Sequence, residues 1–145
     1  MLTHVTRTSF PKGTDSEVPY LLDTNVAIHL RDGDPVVTER ITSLDGAILM
    51  SIVTRVELEG GVYRNPADTN ARRARLDVML SAIPTLSFDD VQAEMYATIV
   101  AQAAYSRCKL LDRMIAAQAM VHRATLVTMN AGDFKDIAGL EILGW

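Results

Sequence analysis

Tyr20-Leu21-Leu22-Asp23-Thr24-Asn25-Val26 sets a short apolar run directly against an acid and two small polar residues. The run has the length of a buried strand rather than of a helix, and a strand is expected over 19–23. Thr24 or Asn25 then caps a helix running to about Leu30, which Arg31-Asp32-Gly33-Asp34 breaks. A strand passing at once into a helix opens a βα unit, with Asp23 at the junction. A carboxylate in that place is costly if it faces the core alone.

Working outward, Pro35 suits the first turn of a second helix, 36–44, capped by Asp34. Ala47-Ile48-Leu49-Met50 reads as a second strand. Ser51 caps a helix that holds Val53, Val56, Glu57 and Gly60 and ends near Tyr63. Pro66 starts a helix to about Ala82 whose exposed face carries Arg72, Arg73 and Arg75. Thr85-Leu86-Ser87-Phe88 is a third strand, and Asp89-Asp90 caps a long helix to about Arg107. Asp112 begins the next helix, to about His122, followed by a fourth strand, Thr125-Leu126-Val127-Thr128. A turn or short helix at 133–137 precedes a last strand at 140–143. Strands alternating with helices imply right-handed crossovers. The expected fold is therefore α/β: a parallel central sheet of about four to five strands, flanked by helices on both faces.

The chain has 145 residues, 48% of them hydrophobic, which fits one domain over 19–145. Residues 1–18 are mostly polar, hold Pro11 and Gly13, and read as a flexible N-terminal tail. No apolar run approaches the ~20 residues needed to span a bilayer, so no membrane partner is expected. The one cysteine, Cys108, forms no internal disulfide, which suits a reducing cytoplasm, and is expected to be a buried or half-buried inert thiol. A net charge of −4 argues against broad non-specific binding to nucleic acid but leaves room for a nuclease whose acids are concentrated in a metal site.

Ligands of an open parallel sheet bind beyond the carboxyl ends of its strands, where strand order reverses. Asp23 and Asp133 both belong to that edge, after the first and fourth strands. Asp112 tops a buried stripe with Ile115, Ala116 and Ala119; alone it reads as a helix cap or first-turn acid. Glu57 shares a face with Val53, Gly60 and Gly61; alone it reads as a surface acid paired with Arg55 or Arg64. If one fold gathers all four, they need protons, basic partners or a divalent cation, since two carboxylates ~4 Å apart repel by about 4 kcal/mol at an effective dielectric of 20. Mg²⁺, an oxygen-loving ion that keeps several waters, suits such a set. His4, His29 and His122 lack zinc-ligand spacing, and there is neither a G-x-S-x-G elbow nor a P-loop.

Four segments, in order, carry a resemblance: Leu21-Leu22-Asp23-Thr24-Asn25-Val26; Val56-Glu57-Leu58 with Gly61-Val62; Asp112-Arg113-Met114-Ile115-Ala116-Ala117; and Thr128-Met129-Asn130-Ala131-Gly132-Asp133-Phe134. Together they resemble PIN-domain nucleases, most closely the VapC-type toxins of bacterial toxin–antitoxin pairs, over nearly all of 19–145. The resemblance implies a PIN-like fold and an endoribonuclease with a Mg²⁺ or Mn²⁺ site. Asp23, Glu57, Asp112 and Asp133 match the acidic quartet, with Asp23 and Asp112 as direct ligands and Glu57 and Asp133 acting partly through water. Asn25 and Thr128 match polar positions that orient acids or waters, and Asn130 is a further candidate. A cation-activated water would attack an RNA phosphodiester. A cognate antitoxin and a homodimer are implied partners, the latter through the helices at 53–63 and 89–107.

Two departures stand out. Arg107-Cys108-Lys109-Leu110-Leu111 lacks a glycine frequent there, which predicts a differently shaped loop, and Ala131-Gly132 stand where relatives often carry a basic residue. RNA contacts then fall to Arg31, Arg55, Arg107, Lys109 or Arg113, each also readable as an ordinary surface charge. Two rivals remain: a phosphatase of the haloacid dehalogenase type, disfavoured because Asn25 stands where its second Asp belongs, and a non-catalytic PIN fold that binds RNA or protein.

Overall fold

In the computed structural model, residues 18–145 are described; the expected tail lies outside the described residues except for Val18. Five strands, β1 (Tyr20–Leu22), β2 (Ile48–Ser51), β3 (Thr85–Leu86), β4 (Thr125–Thr128) and β5 (Ile142–Gly144), form one sheet in the order β3-β2-β1-β4-β5. Every pairing is parallel, with Leu21 opposite Leu49 on one side and Leu126 on the other. The helices are α1 (Thr24–Arg31), α2 (Pro35–Thr42), α3 (Ile52–Val62), α4 (Thr69–Ala82), α5 (Asp90–Ala103) and α6 (Leu110–Val121). None among the described residues is long and apolar enough to cross a membrane.

The period of a strand sorts the core into two layers. Leu22, Met50 and Val127 point to one face and pack against Val26 and Leu30 of α1, Ile41 of α2, Leu58 of α3 and Leu76 of α4. Leu21 and Leu126 point to the other and meet Ile99 of α5 and Ile115, Ala116 and Ala119 of α6. Leu21, Leu22, Leu126 and Val127 are fully buried, each side chain contributing about 1.5–3 kcal/mol of transfer free energy. The chain leaves β1 toward β2 and β3, then returns to place β4 on the opposite side of β1. Strand order therefore reverses between β1 and β4, and the carboxyl ends of these two strands define the functional edge.

Local chemistry sets the helix starts. Asp23, not Thr24 or Asn25, caps α1, its side chain accepting the Thr24 N–H. Asp34 caps α2 with Pro35 at its first position, Ser51 caps α3, and Asp89 with Gln92 forms a capping box on α5. Pro66 belongs to a 3-10 turn, Pro66–Asp68, that leads into α4. The third strand keeps only Thr85 and Leu86, and the last lies at Ile142–Gly144 rather than 140–143.

The largest departure from the sequence reading is at α5, which stops at Ala103 rather than near Arg107. Ala104 has φ 72 and ψ 153, a positive-φ extended conformation that cannot continue the helix, and a 3-10 turn at Arg107–Lys109 leads into α6. α6 thus begins at Leu110, two residues before the expected start, with Asp112 as an acid of its first turn. The arginines of α4 also differ from a solvated face. Arg72 donates to the Gly61 carbonyl at 2.9 Å, and Arg73 bridges Glu59 at 2.7 Å and Asp77 at 2.8 Å, tying α4 to α3.

Candidate active site

Asp23 is the most constrained acid. Its N–H donates to the Val127 carbonyl at 2.9 Å, which continues the β1–β4 ladder by one residue. Its Oδ1 accepts the Thr24 N–H at 2.9 Å and its Oδ2 accepts the Thr128 hydroxyl at 2.7 Å. Burial pushes its pKa above the ordinary carboxylate value; the Thr128 and Thr24 hydrogen bonds pull it back, and the charge of Asp133 adds to the rise. Both oxygens are held, so their remaining lone pairs have fixed directions.

The other acids arrive on three separate elements. Asp112 projects from the first turn of α6, half-buried, and its pKa is pushed up to about 6, first by burial and then by the charges of Asp23, Asp133 and Glu57. That mutual repulsion shows the four acids sharing one electrostatic neighbourhood. Glu57 stands exposed on α3. Its expected basic partners are not bound to it: Arg55 pairs with Glu59 at 3.2 Å, and Glu59 also takes Arg73. Asp133 lies in the 3-10 turn Ala131–Phe134, whose Phe134 is buried beneath α6 and anchors it. Among the described residues none of the four forms an ion pair.

All four line one open cleft of about 550 Å³, together with Asn25, Asn130 and Arg107. Thr128 is fully buried below its floor; besides holding Asp23, it accepts the Asn130 N–H at 3.0 Å. Among the described residues no three His, Cys, Asp or Glu side chains stand grouped so as to hold a metal ion by themselves, so this is an acid-lined cleft rather than a preformed cage. The donors are nevertheless all oxygens with a surplus of negative charge, the set that suits a hard divalent cation retaining some of its waters.

The basic residues expected to contact RNA separate sharply. Arg31 is buried, its Nε on Asp32 at 2.9 Å, and Arg113 of α6 is buried at the α5–α6 junction with its guanidinium on the Ala104 carbonyl and on Asp136. Neither presents a charge to solvent, which removes both from the set of RNA contacts. Arg55 is engaged with Glu59, and Lys109 leans on Asp136 at 3.4 Å. Of the five, Arg107 alone lines the cleft. Cys108 also departs from expectation: it is exposed on the cleft wall rather than buried.

Two supporting contacts escaped the sequence reading. The Thr24 and Thr54 hydroxyls hydrogen-bond at 2.8 Å, joining the start of α1 to α3 one helical turn before Glu57. Ser51 donates to Gln118 Oε1, while Gln118 Nε2 reaches the Leu86 and Ser87 carbonyls at 3.0 Å each. A Thr three residues before a Glu on the same helix face was the available signal for the first. Nothing local marks Gln118, which sits in an apolar stripe.

Comparison with known proteins gives one consistent picture. The family model described as PIN domain matches residues 20–140. A curated relative, Ribonuclease VapC1 of Rickettsia felis, is 31% identical over 127 residues, covering 85% of this chain and 93% of that protein. The tRNA(fMet)-specific endonuclease VapC of Shigella flexneri is 29% identical over 129 residues, covering 87% and 97%. Among solved structures, VapBC2 from Rickettsia felis bound to a DNA fragment from its promoter superposes with a TM-score of 0.76 at 25% identity, covering 88% of this chain and 99% of that one.

Proposed function

The chain belongs to the PIN-domain family, and on that footing we propose that it is an endoribonuclease, the toxin of a VapBC-type toxin–antitoxin pair. The observation that carries the reading is the cleft at the β1–β4 switch point, lined by four acids that form no ion pair among the described residues. Asp23, Glu57, Asp112 and Asp133 would hold Mg²⁺ or Mn²⁺, Asp23 and Asp112 directly and the other two partly through water. When bound, the cation supplies an activated water and neutralises charge on the phosphate under attack.

The protein's own part is positioning. Thr128 and the Thr24 N–H fix Asp23, and Asn25 and Asn130 offer amide groups at the cleft wall to orient water. Arg107 supplies, among the described residues, the cationic side chain on that wall to meet an RNA phosphate. In the hydrolysis, water oxygen bonds to phosphorus, the bond from phosphorus to a sugar oxygen breaks, and that oxygen leaves with a proton.

The antitoxin partner follows from likeness to VapBC complexes. A homodimer in the cytoplasm completes the proposal, and Val56 on α3 and Tyr63 just past its end, both well exposed, offer apolar surface for it. Cleavage of a mixed RNA pool in Mg²⁺, lost on adding EDTA and lost in Asp112→Asn, is the expected result. Cleavage that persists in either case overturns the proposed chemistry. Trapping of an aspartyl-phosphate would instead favour a phosphatase.

A further inference from the structure

Asp112 and Asp133 face the same cleft from different elements, yet the carboxylates themselves repel and cannot hold those elements together. What joins the elements lies behind the acids. Arg113 directly follows Asp112, and because neighbouring helix residues point about 100° apart, it is aimed away from the cleft. Its Nη1 donates to the Ala104 carbonyl at 2.5 Å and its Nη2 to Ala103 O at 3.5 Å, so the cation sits on the carboxyl end of α5, where the helix dipole favours it. The same Nη2 reaches Asp136 Oδ2 at 3.1 Å, three residues beyond Asp133. Lys109, in the turn that enters α6, reaches that same oxygen at 3.4 Å.

The Arg113 side chain is only 3% exposed, and its Nε is buried with no hydrogen-bond partner among the described residues. A buried guanidinium with an unsatisfied donor is an expensive way to fill space. Here it closes a three-way junction: the end of α5, the first turn of α6 and the segment carrying Asp133. Asp136 is the hinge pin of that junction, engaged from both ends of the segment 109–113.

We propose that Arg113, through Asp136 and with Lys109, is a positioning residue that sets the separation of Asp112 from Asp133 and thereby the grip of the cleft on a divalent cation. The proposal rests on the reading of the cleft as a cation site. Its outcome has a sign that charge alone does not produce. Deleting a positive charge close to four acids strengthens cation binding if only Coulomb's law acts. Loss of a clamp weakens it.

The test is Mn²⁺ titration by calorimetry of the full chain, for wild type, Arg113→Gln, Lys109→Gln, Asp136→Asn and Asp23→Asn, with metal-free melting temperatures and hydrogen exchange recorded alongside. Arg113→Gln is expected to weaken Mn²⁺ roughly 3- to 10-fold, less than the 10–100-fold typical for a group that touches the ligand itself. Lys109→Gln should weaken it in the same direction and by less, and Asp136→Asn should speed exchange in 109–113 and 131–137 together. If Arg113→Gln does not fold, the sign of the change in Lys109→Gln decides. Tighter or unchanged Mn²⁺ binding in a folded Arg113 or Lys109 variant overturns the clamp while leaving the cation site standing. A wild type that binds Mn²⁺ no better than Asp23→Asn overturns the cation site itself, and the clamp's role in it.

Discussion

The Thr128 hydroxyl donates to Asp23 Oδ2 at 2.7 Å, across 105 positions of sequence, and in the same place accepts the Asn130 N–H at 3.0 Å. One fully buried side chain thus orients the central acid and starts the loop that delivers Asp133. The contact exists because β1 and β4 are neighbours in the sheet although far apart in the chain. It lies at the reversal of strand order, where the backbone ladder ends and side chains take over the pairing.

Thr128→Val keeps the shape and removes the donor. A hydrogen bond to a charged group contributes about 1.5–3 kcal/mol, so RNA cleavage should fall at least tenfold. The Thr128 bond is also the foremost influence lowering the pKa of Asp23, so the acid limb of the pH–rate profile should move to higher pH. Thr128→Ser should restore both. A valine variant with wild-type rate and profile would remove Thr128 from the machinery.

The pKa of Asp112 gives a pH signature with a definite sign. Its folded value, about 6, lies above the ordinary 3.8, so the native chain holds the proton to higher pH than the unfolded chain. The stability contributed by that proton is complete at low pH and is lost as pH rises between those two values. In metal-free buffer, the melting temperature of Asp112→Asn should therefore gain on that of wild type from about pH 4 to 6 and then level off. Over the same interval Mn²⁺ should bind wild type progressively more tightly, because the cation displaces the proton. A melting-temperature difference that stays flat with pH would contradict the crowding of acids around Asp112.

Cation binding should also be visible as stabilisation. A ligand at 100 times its Kd adds about 2.7 kcal/mol. Saturating Mg²⁺ should thus raise the wild-type melting temperature by several degrees and that of Asp23→Ala by much less. Equal shifts in the two proteins would mean that the quartet is not the binding site.

The fold and two of the acids, Asp23 and Asp133, were legible in the sequence because their signals are local. Leu21-Leu22 against Asp23, and Leu126-Val127 against Thr128, mark strands by period and length, and the order of βα units dictates a parallel sheet. Asp112 and Glu57, which taken singly read as a first-turn acid and a surface acid, stand out only through the order of the four segments that carry the acids. The basic residues were not legible, since an arginine's role depends on which way its helix faces. Arg113 lies one residue from Asp112, yet it points into the α5–α6 junction rather than the cleft. The early end of α5 was hidden for a related reason: Ala104 takes a positive-φ conformation that glycine usually fills, and the Arg113 contacts to its carbonyl and that of Ala103 are invisible to local reading. The Arg73 contact to Glu59 likewise needs α4 to be docked first, whereas the Arg55–Glu59 pair, which leaves Glu57 to the cleft, is an i,i+4 pair within α3.

That separation of arginines can be tested directly with Arg31 and Arg107. Arg31 is buried at the end of α1, its guanidinium held by Asp32 and its Nη1 only 3.1 Å from where a Cβ on Gly61 would stand. Arg31→Met should lower stability by about 1–3 kcal/mol and leave the KM for RNA unchanged in the protein that remains folded. Arg107 is exposed on the cleft wall and makes no ion pair among the described residues, so Arg107→Ala should leave the melting temperature alone. An exposed charge contact is worth about 0.2–1 kcal/mol, so KM should rise by up to roughly fivefold. The dependence of KM on salt should weaken at the same time, because one fewer counterion is displaced from the RNA. The reverse pattern, with Arg31 setting KM and Arg107 setting stability, would require the two side chains to exchange environments, which the α1–α3 packing around Arg31 does not permit.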